Sequence, residues 1–153
     1  MSPSAIFFTI LNDVSSRLEK ARRPRSLHDP RRASELRAAL FQLEAWARLH
    51  RNWPDEKQRE MFSDLRDRTK EIEDVFGGLD TANALLTEAT KRKIPKLVEH
   101  QREELAEHEK KLKKTLRSGG WMPKSGRSRT EKIAAKLERV DWPSEAEHVS
   151  FVC

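Results

Sequence analysis

DPRRASELRAALFQLEAWARL, residues 29–49, is the stretch whose periodicity sets the fold class. Asp29 offers a carboxylate to cap a helix, and Pro30 suits the first helical position, where no backbone N–H is needed. Leu36, Leu40, Leu43 and Ala47 recur at helical spacing and make one apolar stripe. Phe41, Ala45 and Leu49 make a second, with Trp46 beside it, and only Arg37, Glu44 and Arg48 cluster on a polar side. A helix apolar over so wide an arc is contacted from several directions. It is expected at the centre of a helical bundle, with both stripes covered.

The flanking sequence supplies partners of the same kind. Ser2 and Pro3 open a first helix with a stripe of Phe7, Leu11, Val14 and Leu18, and Pro24 stops it. Asn52, Trp53 and Pro54 read as a turn before a third helix to Phe76, carrying Met61, Phe62, Leu65, Ile72 and Val75. Gly77–Gly78 then reads as a helix stop, and Asp80 as the cap of a short fourth helix with Leu85 and Leu86. Pro95 opens a fifth helix, expected to pack along Leu97, Leu105, Leu112 and Leu116 until Gly119–Gly120. Ser128 and Glu131 form a capping box for a sixth, with Ile133, Ala134, Leu137 and Val140 inward. No segment alternates with the period of a strand. The expected fold is all-α: a single bundle domain of about six helices over residues 1–140, then an extended acidic and aromatic tail, 141–153, free to dock on the bundle or on a partner.

The 153 residues suffice for one domain with a real core. With 37% charged and 36% hydrophobic residues, that core should be thin. No apolar run is longer than that of Ala5 to Phe8, which is too short for a membrane-spanning helix. The N-terminus lacks a basic region followed by a long apolar block, so no secretory signal is expected. The one cysteine, Cys153, excludes an internal disulfide framework, and its terminal place does not match a prenylation box. These features fit a reducing, cytoplasmic setting.

Charge is concentrated in one window. Residues 110–136 hold ten cations, Lys110, Lys111, Lys113, Lys114, Arg117, Lys124, Arg127, Arg129, Lys132 and Lys136, against one acid, Glu131. The window is therefore +9 in a chain of +6, and everything outside it nets −3. That is the electrostatic footprint of a polyanion binder. Arg22, Arg23, Arg25, Arg31 and Arg32 form a second cluster. Lys91, Arg92, Lys93 and Lys96 form a third, expected to link the other two if the bundle folds them onto one side. Trp121, in the basic loop, is placed either to stack on a base or to plug the core.

Signals for catalysis are sparse. The two Gly–Gly pairs have no preceding strand and no phosphate-loop pattern after them. His100, Glu104 and His108 lie four apart on the fifth helix, but no ligand from another element completes a metal site, so no metal or other cofactor is expected. Arg102 and His108 make an Arg-x5-His spacing, which resembles the HEPN superfamily of helical RNases over this one helix. The resemblance implies cleavage without metal across a dimer, with His108 as acid or base and Arg102 on the phosphate. Glu103 stands where that family favours Asn, Asp or His.

His28–Asp29–Pro30–Arg31 with Leu36–Arg37–Ala38–Ala39–Leu40, and later Ile72–Glu73–Asp74–Val75–Phe76–Gly77 with Leu85–Leu86, resemble the CHAD family over residues 28–90. The resemblance implies a helical domain binding polyphosphate, with His28 and Arg31 at phosphate-binding positions. Glu35 and Leu36 stand where the family has basic residues, and Asp80–Thr81 where it has an Arg–Asp pair. In size, helicity and basic face the chain is also similar to the small subunits of CRISPR effector complexes. That similarity implies contact with nucleic-acid backbone inside a larger assembly, which needs no base-reading motif. The reading that joins these features is a non-catalytic subunit that binds RNA or single-stranded DNA backbone through the three cationic clusters, alongside other protein subunits or copies of itself.

Overall fold

The structure is a computed structural model that describes residues 2–144 and Glu147. Among these, all regular structure is helical: α1 (Pro3–Ala21), a 3-10 turn (Ser26–His28), α2 (Pro30–Leu49), α3 (Glu56–Lys91), α4 (Pro95–Ser118) and α5 (Arg129–Leu137). No helix among the described residues is long and apolar enough to cross a membrane.

The starts are set by local chemistry. Ser2 Oγ accepts from the Ala5 N–H at 3.3 Å, Asp29 Oδ1 from the Arg31 N–H at 3.0 Å, and Ser128 Oγ from the Glu131 N–H at 3.3 Å. Each satisfies a donor that the helix itself leaves free. Asp55 does the same for α3, accepting from Gln58 at 2.9 Å.

The expected break at Gly77–Gly78 is absent, so the described chain has five α-helices rather than six. α3 runs 36 residues straight through it. Two helical glycines cost about 1 kcal/mol each relative to alanine. Packing on two neighbours, α2 and α4, outweighs that. Gly78 also has a packing reason. A Cβ there would lie 2.3 Å from His108 Nδ1, so the missing side chain is what lets α4 approach. Asp80 caps nothing and instead pairs with Arg37 of α2.

α3 is thus the shared element, with α2 on one side and α4 on another, while α1 packs on α2 and α5 on α1. In α2 the stripe of Leu36, Leu40, Leu43 and Ala47 is buried as expected. The second stripe is not: Phe41 and Leu49 are each 45% exposed, and Ala45 is exposed too. Glu44, expected in water, is only 3% exposed. Its carboxylate pairs with Arg48 and shares a hydrogen bond with the buried Glu73 of α3. Burial and then Glu44 push the Glu73 carboxyl above the ordinary glutamate range. On α4, Leu105, Leu112 and Leu116 are buried, but Leu97 is exposed.

One end of the core is an aromatic cluster. Phe7 and His50 flank Phe62 at ring separations of 5.6 and 4.7 Å, and Trp53 meets Trp142 at 5.5 Å. Trp142 donates its indole N–H to the Leu137 carbonyl at 3.1 Å, so the start of the tail docks on the bundle. Phe151, Val152 and Cys153 lie outside the described residues.

Candidate polyanion interface

The C-terminal half of α4 presents Lys110, Lys111, Lys114 and Arg117 to solvent. Lys110, Lys114 and Arg117 share one stripe by helical spacing. Lys113 points elsewhere. Its Nζ lies 2.8 Å from Oε1 of the buried Glu109 and donates to the Arg23 carbonyl at 3.0 Å. The other Glu109 oxygen lies 3.0 Å from His28 Nε2. Lys113 thereby fastens α4 to the end of α1, while Glu109 Oε2 is buried beside His28 without a hydrogen bond. Lys113 also sets an ammonium at the negative end of the α1 dipole.

After α4 the chain closes a loop. Gly120 takes φ +78°, a conformation that costs only glycine little. The turn brings the Trp121 and Met122 N–H groups to the Leu116 carbonyl at 2.9 and 3.2 Å. Trp121 is 2% exposed, so it plugs the core and is not free to stack on a base. Arg129 holds the far end of the loop. Its backbone N–H donates to the Gly120 carbonyl at 2.9 Å and its Nε to the Gly119 carbonyl at 2.6 Å, with the guanidinium 5.9 Å from the Trp121 ring. Burial, and then the nearby Arg68, push its pKa below the ordinary arginine value.

The second cluster adjoins this loop. Arg22 donates to the Pro123 carbonyl at 3.3 Å while paired with Glu19 at 2.9 Å. Arg23 and Arg25 are exposed beside it. Arg31 is matched by Glu35 at 3.1 Å, and Arg32 by Asp29 at 3.7 Å. The hydrogen bond from Arg31, and then the charge of Arg17, hold the Glu35 carboxyl below its ordinary range.

The third cluster does not link the first two. Lys91, Arg92, Lys93 and Lys96 sit at the turn between α3 and α4, and Arg92 pairs with Glu88 at 2.6 Å. Lys96 and Lys110 are fourteen positions apart on one straight helix, which is about 21 Å along the axis.

Of the predicted contacts, Lys110, Lys111, Lys114, Arg117, Lys124, Arg127 and Lys132 therefore gather near the end of α4, with Arg23 and Arg25 alongside. Lys113, Arg22 and Arg129 are committed to holding the structure. Lys136 belongs to the 110–136 charge window, and Arg139 lies outside all three clusters. Lys136 and Arg139 line a cavity of about 310 Å³ between α3 and α5, together with Arg127, Arg129 and Lys132. Residues 129, 132, 136 and 139 repeat at helical spacing, and that stripe is the signal that could have found Arg139.

The remaining candidates lie apart. His108 borders a cleft with Gly78, His100 and Glu104, whereas Arg102 borders another with Ile94 and Val98. Within one chain the Arg-x5-His pair therefore does not converge. Among the described residues, no group of three or more His, Cys, Asp or Glu side chains is arranged to hold a metal ion. His28 is 31% exposed and faces Glu109, and Arg31 projects into solvent. No protein-family model matches the chain, and neither a curated protein nor a solved structure matches it significantly.

Proposed function

We propose that this protein is a non-catalytic subunit that binds nucleic-acid phosphates within a larger assembly. The observation that carries the reading is the pair of cross-links between the first and second cationic clusters. Lys113 to the Arg23 carbonyl and Arg22 to the Pro123 carbonyl bring the two together. Lys113, Arg22 and, through its backbone N–H and Nε, Arg129 hold the surface in shape. Of the exposed ones around them, Arg31 and Arg32 are paired with Glu35 and Asp29, whereas Lys110, Lys111, Lys114, Arg117, Lys124, Arg127, Arg23 and Arg25 make no ion pair among the described residues and are available to phosphates. His108 has a packing role against Gly78, so the binding reading requires no catalytic work from it.

The test is a titration of single-stranded RNA and DNA at several salt concentrations. Each phosphate neutralised releases counterions, so about six contacts should lower the affinity by orders of magnitude between low and moderate salt. Lys110→Glu, Lys114→Glu and Arg117→Glu together should weaken all sequences alike and reduce the salt slope. A titration insensitive to salt would remove the backbone-contact reading. Strong preference for one sequence would replace it with base readout.

A further inference from the structure

The cavity between α3 and α5 has a composition that the exposed α4 face lacks. Its cations are Arg127, Arg129, Lys132, Lys136 and Arg139, against the single carboxylate of Asp64. Asp64 is already matched by Arg68, whose Nε lies 2.9 Å away. Arg127, Lys132, Lys136 and Arg139 have no side-chain hydrogen bond or ion pair among the described residues. Like charges crowded round one concave surface repel, and a bound anion relieves that cost. Arg129 differs from the rest because its Nε bond to Gly119 and its place over Trp121 fix its guanidinium in advance. A donor that is already fixed loses little freedom when a ligand arrives.

The floor of the same cavity is apolar, made by Met61, Leu65, Ile133 and Ala135. Inorganic polyphosphate has nothing to set against such a floor. A nucleotide does, through its base and sugar, and arginine planes also accept stacked bases. The volume of about 310 Å³ sits at the lower edge of the usual range for small-molecule sites, roughly 300–1,000 Å³.

We propose that this groove takes one nucleotide of a bound strand, its phosphate against the cations and its base over the apolar floor. The inference rests on the nucleic-acid reading above and selects nucleic acid over polyphosphate. Arg127 lies on the loop that leads from α4, so a strand following the exposed face can enter the groove without leaving positive potential.

The experiment measures the affinity of the full chain for a short fluorescein-labelled single strand, and for inorganic polyphosphate by competition. Lys132→Glu with Lys136→Glu should weaken the labelled strand about a hundredfold and lower the salt slope by about two phosphates. Met61→Gln should weaken the strand about tenfold and leave polyphosphate unchanged. If the lysine pair does not fold, Arg139→Glu at the exposed rim gives the same readout. Loss of binding in the Lys110→Glu, Lys114→Glu pair with full binding in the groove variants would overturn the groove and leave the proposed function standing. Indifference of both sets would overturn both. Equal effects of Met61→Gln on strand and polyphosphate, or none on either, would overturn the nucleotide assignment.

Discussion

At one end of the α3–α4 hairpin, Ile72, Phe76, Leu112 and Leu116 are fully buried; at the other, Leu85, Ile94 and Leu97 are 45, 42 and 37% exposed. Both ends carry leucines and lysines at helical spacing. Two helices share a single seam and cannot cover each other's flanks. Burial at the base comes from the other elements, α1, α2 and the loop after α4. α2 faces α3 antiparallel, Arg37 opposite Asp80 and Glu44 opposite Glu73, and by that register its start at Pro30 falls near position 87, short of Ile94 and Leu97. The cations differ in the same way. Near the base, Lys113 and Arg129 are anchored and orient their neighbours, whereas the tip cations stand on a hairpin with little around it.

The largest effect that would break this contrast is in the core. Leu40→Ala leaves a cavity in the fully buried stripe of α2 and should cost about 2–5 kcal/mol, with roughly 2–4 °C of Tm per kcal/mol in a chain of this size. Leu97→Ala at the tip should stay within about 0.5 kcal/mol. Equal losses in a thermal melt would mean that the tip is covered in solution.

A middle-sized effect concerns Glu73 at the base. Its folded-state carboxyl holds a proton more tightly than in the unfolded chain, chiefly through burial. The stability this gives is complete below the ordinary glutamate range and is lost as pH rises through the raised value. Glu73→Gln keeps the protonated shape at every pH. It should therefore be more stable than the wild type near neutrality, with the gap closing as the pH falls into the ordinary carboxylate range. Denaturation midpoints at several pH values check this, and a gap that widens toward acid would reverse the assignment.

The smallest effect lies where base gives way to tip. A methyl added at Gly77 would meet nothing within 4 Å, whereas one at Gly78 would meet His108 at 2.3 Å. Gly77→Ala should gain about 0.5–1 kcal/mol from helix propensity alone. Gly78→Ala should gain less, because it displaces the His108 ring. Adding His108→Ala should restore the difference, and chemical denaturation of the four variants reads it directly.

The helix starts at Ser2, Asp29 and Ser128 were legible because a cap is a contact between residues three apart or fewer. The Gly77–Gly78 stop was a sound local inference that failed because packing on α2 and α4 is not local. Phe41 and Glu44 show the same limit within one helix. Hydropathy puts the phenylalanine inside and the carboxylate outside, but Glu73 and Arg48 satisfy Glu44, while Phe41 stays 45% exposed with only the Arg37 guanidinium described over its ring, 5.4 Å from the centroid. The charge of the 110–136 window was visible from composition. Its division into anchoring and exposed cations was not, since Lys113 is defined by Arg23, ninety positions away.

The bonds from Arg129 to Gly119 and Gly120 have a consequence for engineering. They join the two ends of the intervening loop, so the segment from Trp121 to Ser128 is a closed excursion with its boundary conditions already met. Lengthening such a loop adds closure entropy only logarithmically and leaves both attachment points in place. Gly126, at φ +81° with open space where a side chain would begin, marks the open part of the excursion. A fluorophore or an affinity peptide inserted beside it would ride at the mouth of the cationic surface while the bundle beneath kept its geometry.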